Sequence, residues 1–157
     1  MRKIFKIAVL LMICTTGISV VCNAQETNKT YNEQLAKDLK ADDYGMKMYV
    51  MVILKSGPVT GLSKATQDSI FTGHMANINR LASEGKLIVA GPLGKNDKNY
   101  RGIFIFDVEN VEAAKLLVAT DPVIKSKIME ADYFPWYCSA ALNEIPKIHK
   151  TIEKKSH

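Results

Sequence analysis

Cysteine is scarce in this sequence of 157 residues: there are three, and two of them, Cys14 and Cys22, fall in the first 22 positions. Only Cys138 lies in the body of the chain, so no internal disulfide can staple it, and stability has to come from a packed core. Histidine is nearly as rare, with His74, His149 and His157 the full set. One core histidine and one thiol fall short of the three or four ligands a zinc site needs. Glycine motifs are missing too. No GxSxG surrounds Ser56, Ser63, Ser69 or Ser83, and neither a dinucleotide fingerprint nor a phosphate loop occurs, so the expectation for cofactor and metal is none. There is no long low-complexity run, and with 47% hydrophobic and 24% charged residues the composition excludes wholesale disorder.

The apparent excess of positive charge also shrinks on inspection. The formal net charge is +5, but Arg2, Lys3 and Lys6 precede an apolar stretch from Ile7 to Val21 and the small-residue end Cys22-Asn23-Ala24, the three parts of an export signal. Cleavage after Ala24 would leave Gln25 first and reduce the balance to 18 basic against 16 acidic residues. Lys147, Lys150, Lys154 and Lys155 then place most of the remainder in a terminal tail that reads as solvated. A basic stripe interleaved with aromatics is absent, which argues against nucleic acid as a partner. The stretch is interrupted by Thr15, Thr16 and Gly17, so a membrane span after processing is not expected. The protein is read as periplasmic or secreted. A lipid anchor on Cys22 is the weaker alternative, because Val21 stands where a small residue is wanted.

The remaining chain divides into a polar leader (25–45), one domain (46–142) and the tail (143–157). In the leader, Tyr31, Leu35 and Leu39 recur every four residues, which predicts a short docking helix. Met46 to Leu54 (MKMYVMVIL) is an unbroken apolar run of strand length, predicted to be a central strand buried on both faces. Phe71, Met75, Ile78 and Leu81 or Ala82 then fall at steps of three and four, a helix face that Gly85 would terminate. Lys86 to Ala90 predicts a second strand, Gly91-Pro92-Leu93-Gly94 a turn, and Gly102 to Val108 a third strand. Asn110 is placed to cap a second helix buried through Ala114, Leu117 and Val118. Asp121 is placed to cap a short turn opened by Pro122, and Glu130 to Leu142 predicts a fourth strand whose Pro135 belongs on an edge. The order strand, helix, strand, strand, helix, strand is that of an α+β, ferredoxin-like βαββαβ unit with an antiparallel sheet and both helices on one face. The other face would be bare and apolar, which predicts a homodimer.

Several segments together carry a family likeness: Gly73-His74-Met75 through Asn79-Arg80-Leu81, Glu84-Gly85-Lys86-Leu87, Ala90-Gly91-Pro92-Leu93, Asp121-Pro122 and Pro135-Trp136-Tyr137. In their order and spacing, across Met46 to Leu142, they resemble the YCII-related (YciI-like) family of dimeric α/β-barrel proteins. The resemblance implies a ferredoxin-like protomer paired into a barrel, with a pocket whose histidine and aspartate fall on His74 and Asp121. Some related proteins act on oxygenated or chlorinated aromatic rings by elimination or isomerisation without a bound cofactor. About the export signal, the leader and the Lys-rich tail the resemblance says nothing.

Each candidate residue has a plainer reading beside the functional one. His74 lies on the apolar side of its helix and is the domain's one general acid-base candidate, or else a hydrogen-bonded core histidine. Asp121 is a helix cap by pattern, and a carboxylate fixed there could also orient His74. Gly91 and Pro92 make a turn or admit a ligand close to the backbone. Tyr49, Phe104, Phe106 and Trp136 line a pocket for a flat ligand or fill the core. Arg101 attracts an acidic substrate or is a solvated hairpin residue. Three functions follow: a cofactor-independent lyase or isomerase working on a small aromatic or carbonyl compound through His74 and Asp121, a non-catalytic small-ligand-binding barrel, or a cofactor-free monooxygenase.

Overall fold

The computed structural model describes residues 29–155. The expected export signal, its Ala24 cleavage point and Cys22 lie outside the described residues. From Asn32 onward the elements run α1 (Glu33–Asp38), β1 (Met46–Ser56), α2 (Lys64–Ser83), β2 (Leu87–Pro92), β3 (Tyr100–Phe106), α3 (Val111–Val118), α4 (Pro122–Lys125), β4 (Met129–Ser139), a 3₁₀ segment (Ala140–Glu144) and α5 (Ile145–Ile152). The four strands form one antiparallel sheet in the order β2-β3-β1-β4. With α2 and α3 as the two crossovers, this is the ferredoxin-like arrangement.

The apolar run of β1 takes the central place expected of it, paired on one side with β3 and on the other with β4. Alternation divides its side chains between two faces. Val50, Val52 and Leu54 join Phe104 and Phe106 of β3 and Leu87 of β2, and Leu81 of α2 with Ala114 and Val118 of α3 closes over them. That is the core, and both helices lie on this side. Pro135 stands opposite Val50 on β4, a strand with a partner on one side only, where a missing N–H is tolerated.

Caps fall where the sequence places them. Asn110 accepts from the Ala113 N–H at 2.8 Å, Asp121 accepts from Val123 at 3.1 Å, and Gly85 takes the left-handed conformation (φ 67°) just beyond α2.

Four expectations need correction. Gly91 and Pro92 are not a turn but the last residues of β2, opposite Ile103 and Gly102. The sheet continues through them because β2 is an edge strand, which spares Pro92 a ladder bond. In α2, Phe71 and Met75 are exposed, and the buried stripe is His74, Asn77 and Leu81 with Ile78 half-buried beside it. The leader helix α1 forms but buries none of its residues.

The tail, finally, is structured, and the sheet face away from the helices is not wholly bare. Tyr49 on that face is fully buried, its hydroxyl within reach of the carbonyls of Ser139 (3.3 Å) and Ala140 (3.2 Å) and of Asn143 Oδ1 (3.1 Å). Asn143 Nδ2 donates to Asp107 at 2.8 Å, and Lys47 pairs with the same carboxylate at 2.7 Å. These polar bonds fix the 3₁₀ segment across one end of the outer face, and α5 follows it. Elsewhere that face remains apolar, with Met51, Ile53 and Trp136 half-buried and Phe134 exposed. No helix among the described residues is long and apolar enough to cross a membrane.

Candidate active site

The site is assembled from two helices that the sequence holds close. At Gly73 a Cβ would stand 2.9 Å from Cγ of Pro122, so the glycine is what allows α4 to lie against α2. His74, the next residue, projects toward the start of α4, where Asp121 is the capping residue. Nδ1 of His74 is 2.7 Å from Oδ2 of Asp121, while Oδ1 of the same carboxylate accepts the Val123 N–H. One aspartate therefore does both things the sequence offers for it: it caps the helix and it holds the imidazole. Asp121 is fully buried and His74 is 9% exposed, so the pair is shielded from competing water.

A carboxylate only accepts, so this bond places the His74 proton on Nδ1 and leaves Nε2 as the basic nitrogen of the neutral ring. Nε2 makes no hydrogen bond to any described residue. The ring is held from two further directions. Phe104 stacks on it at 6.0 Å between centroids and 29° between planes, and Phe71 stands edge-on at 6.1 Å. A histidine with one nitrogen committed to a buried carboxylate and the other unspent is equipped to take or give a proton.

A second polar group sits one helical turn along. Asn77, also buried, accepts at Oδ1 from Arg80 Nη2 (2.8 Å), and the Thr120 hydroxyl lies within reach of both that oxygen (2.9 Å) and the Leu117 carbonyl (2.6 Å). Thr120 immediately precedes Asp121, so both polar clusters join the same two segments. Asn77 and Thr120 are not among the candidates that the sequence marks. The available signal was spacing: Asn77 is three residues after His74 and four before Leu81, on the stripe that faces the sheet.

Of the residues singled out from sequence, His74, Asp121 and Phe104 meet. Gly91 and Pro92 are exposed at the end of β2, one strand beyond Phe104. Tyr49, Trp136 and Arg101 do not join them. Tyr49 and Trp136 are cross-strand partners on the outer face, and Arg101, exposed, is held at its Nε by Ser56 Oγ at 2.8 Å. The period of two that carries Val50 and Phe104 inward carries Tyr49 and Arg101 outward. A concavity of about 480 Å³ opens elsewhere, beside the start of α3, with Met48, Glu109, Glu112 and Pro135 in its lining and neither His74 nor Asp121 among them. Among the described residues no group of three or more His, Cys, Asp or Glu side chains is arranged to hold a metal ion. Cys138 is a free, half-buried thiol.

Among curated proteins none matches the chain. A solved structure, 5-chloro-2-hydroxyhydroquinone dehydrochlorinase (TftG) from Burkholderia phenoliruptrix AC1100 in complex with 2,5-dihydroxybenzoquinone, is similar at 22% sequence identity with a TM-score of 0.42. The likeness covers 56% of this chain and 92% of that one. The family model of the YCII-related domain matches residues 48–137, from within β1 to within β4, a span that carries His74 and Asp121. With more than half of its length matched, the chain belongs to the YCII-related family.

Proposed function

We propose that this protein is an exported, cofactor-independent acid-base enzyme of the lyase or isomerase kind, acting on a small aromatic or carbonyl compound. The observation that carries the reading is the buried contact of 2.7 Å between His74 and Asp121, which leaves Nε2 unspent. In the proposed step a C–H or O–H bond of the substrate breaks, its proton passes to Nε2, and its electron pair stays behind as an enolate or phenolate. The imidazolium that forms is balanced by Asp121. Return of the proton to another carbon completes an isomerisation. Departure of a halide with the electron pair completes an elimination, and the imidazolium then gives its proton to water.

On this reading Phe104 is the floor of the ligand site and Gly91-Pro92 its rim. Tyr49, Arg101 and Trp136 belong to the face that a second copy covers in a homodimer. A monomer in light scattering at micromolar concentration would overturn that dimer, and a mature chain that does not begin at Gln25 would overturn the cleavage site.

Chloride release from chlorinated dihydroxybenzenes tests the chemistry, with ring isomerisation followed by absorbance in the same assay. His74→Ala and Asp121→Asn are each expected to slow turnover by roughly 10²–10⁴. Equal rates in His74→Ala and the native protein, or no turnover of any ring in the series, would sink the proposal. The second reading, a non-catalytic binding protein, draws on the concavity beside α3, which lies apart from the histidine.

A further inference from the structure

Asn77 is 8% exposed, and its Nδ2 is buried without a hydrogen-bond partner. Among the described residues it is the single buried side-chain nitrogen or oxygen left in that condition. An unmade bond at a buried amide is costly and calls for an explanation. Reversing the amide does not supply one. Oδ1 receives Arg80 Nη2 at 2.8 Å, and a guanidinium has only donors, so an NH₂ group turned toward it would meet another N–H. Arg80 is itself anchored by Glu84 at 2.7 Å, which keeps the guanidinium, and with it Oδ1, in place. The amide is thus locked in one orientation, with its donor end unused.

Its position gives that donor a use. Residues three apart on a helix are neighbours on one face, with Cβ atoms about 5–6 Å apart. Asn77 and His74 share the buried stripe of α2, and each ends in a nitrogen that makes no hydrogen bond to any described residue. One is a base and the other a fixed N–H donor.

Resting on the acid-base reading of His74, we propose that Asn77 Nδ2 is the oxygen-binding donor of the site, and that the ligand class is a small compound with a phenolate, enolate or carbonyl oxygen. Because Nδ2 can only donate, the site accepts an oxygen with a free lone pair and rejects an ammonium or amide N–H in the same place. The charge that develops on this oxygen as a neighbouring proton leaves for Nε2 meets a donor already desolvated and unspent, an arrangement that favours an oxyanion over a neutral ground state.

The test uses 4-nitrophenolate, whose visible absorbance reports its binding to the full-length mature protein. Asn77→Leu keeps the volume and removes the orphan donor. Arg80 retains Glu84 and Thr120 retains the Leu117 carbonyl, so the variant is expected to fold with an unchanged or raised melting temperature. It is expected to bind the probe about tenfold to a hundredfold more weakly. Asn77→Asp keeps the acceptor for Arg80 and replaces the donor with a negative charge, and it is expected to abolish binding of the phenolate. Should Asn77→Leu prove unstable, the aspartate variant decides alone. Native affinity in a folded Asn77 variant, or no binding of the probe to the native protein, overturns the proposal. The two readings fail separately: turnover that depends on His74 with binding indifferent to Asn77 removes this inference alone, while binding that depends on Asn77 without turnover removes the enzymatic reading alone.

Discussion

The two faces of the sheet bury polar groups in opposite ways. On the outer face the Tyr49 hydroxyl lies within reach of three acceptors, Asn143 bridges to Asp107, and Lys47 neutralises that carboxylate. Each of these groups has a partner, several of them supplied by the segment that follows β4, and the result is a clamp. On the helix side the polar groups are fewer and incompletely used: His74 spends one nitrogen on Asp121, and Asn77 spends its oxygen but not its nitrogen. A network with nothing left over holds the fold together. A network with a base and a donor left over is the one that has something to offer a ligand.

The comparison breaks most severely at Gly73. In Gly73→Ala the new methyl would meet Cγ of Pro122 at 2.9 Å, and α4 must retreat from α2 by a few tenths of an ångström or more. The expected cost is about 1–3 kcal/mol of stability in denaturant unfolding, the usual range for forcing a methyl into a packed contact. The effect on turnover should be larger, about 10²-fold, because Asp121 precedes Pro122 and carries the orientation of His74 with it. A variant that keeps native turnover would show that the approach of the two helices matters for packing alone.

This region also shows what the sequence discloses and what it withholds. Strand β1 is legible because an unbroken apolar run has one comfortable place, the middle of a sheet. The caps are legible because Asn110 and the Asp121-Pro122 pair carry their geometry with them. The face of α2 is not legible by the same means. A count of apolar residues selects Phe71 and Met75, both exposed, and misses Asn77, because the helix turns polar side chains inward where Thr120 and Asp121, the two residues before α4, meet them. His74 is legible as a candidate, and its partner only as a cap. Their meeting depends on a tertiary contact 47 residues apart in the chain, which no local pattern encodes. In the tail the lysines are exposed, as their pattern suggests, while the bond that ties its start to the sheet rests on Asn143, a single amide that no local pattern marks.

The outer clamp can be loosened without touching the site. Tyr49→Phe removes the hydroxyl and leaves the ring, with an expected loss of about 1–2 kcal/mol in denaturant unfolding. Native turnover should be retained, since Tyr49 lies on the face away from His74. The native protein should also show an alkaline limb that the variant lacks. Burial, with a smaller part from the charges of Asp107 and Cys138, pushes the Tyr49 phenol up to about 12. A raised value means that the fold favours the neutral phenol, so its contribution is complete below about pH 10, the ordinary tyrosine range, and disappears as the pH climbs through about 12. An alkaline limb of equal size in Tyr49→Phe would assign the loss to another group and weaken the clamp as an account of the outer face.

The smallest effect is expected at the turn that leads into β1, where Asp42 accepts the backbone N–H groups of Tyr44 and Met46, both at 2.9 Å, and the Tyr137 hydroxyl of β4. The Tyr137 bond first, and then that of Met46, hold the Asp42 carboxyl below its usual range. The sign is opposite to that of Tyr49. A lowered value means that the fold favours the carboxylate, so its contribution is complete above the ordinary aspartate range and is lost as the pH falls through the lowered one. Asp42→Asn should therefore flatten part of the acid limb of the thermal melting profile, with the smallest change at neutral pH of any of these variants. Turnover should not change at all. Because Asp42 is exposed and far from the histidine, a loss of activity here would mean that the edge formed by β4 is coupled to the helix side, and that the two faces are less independent than their hydrogen bonds make them.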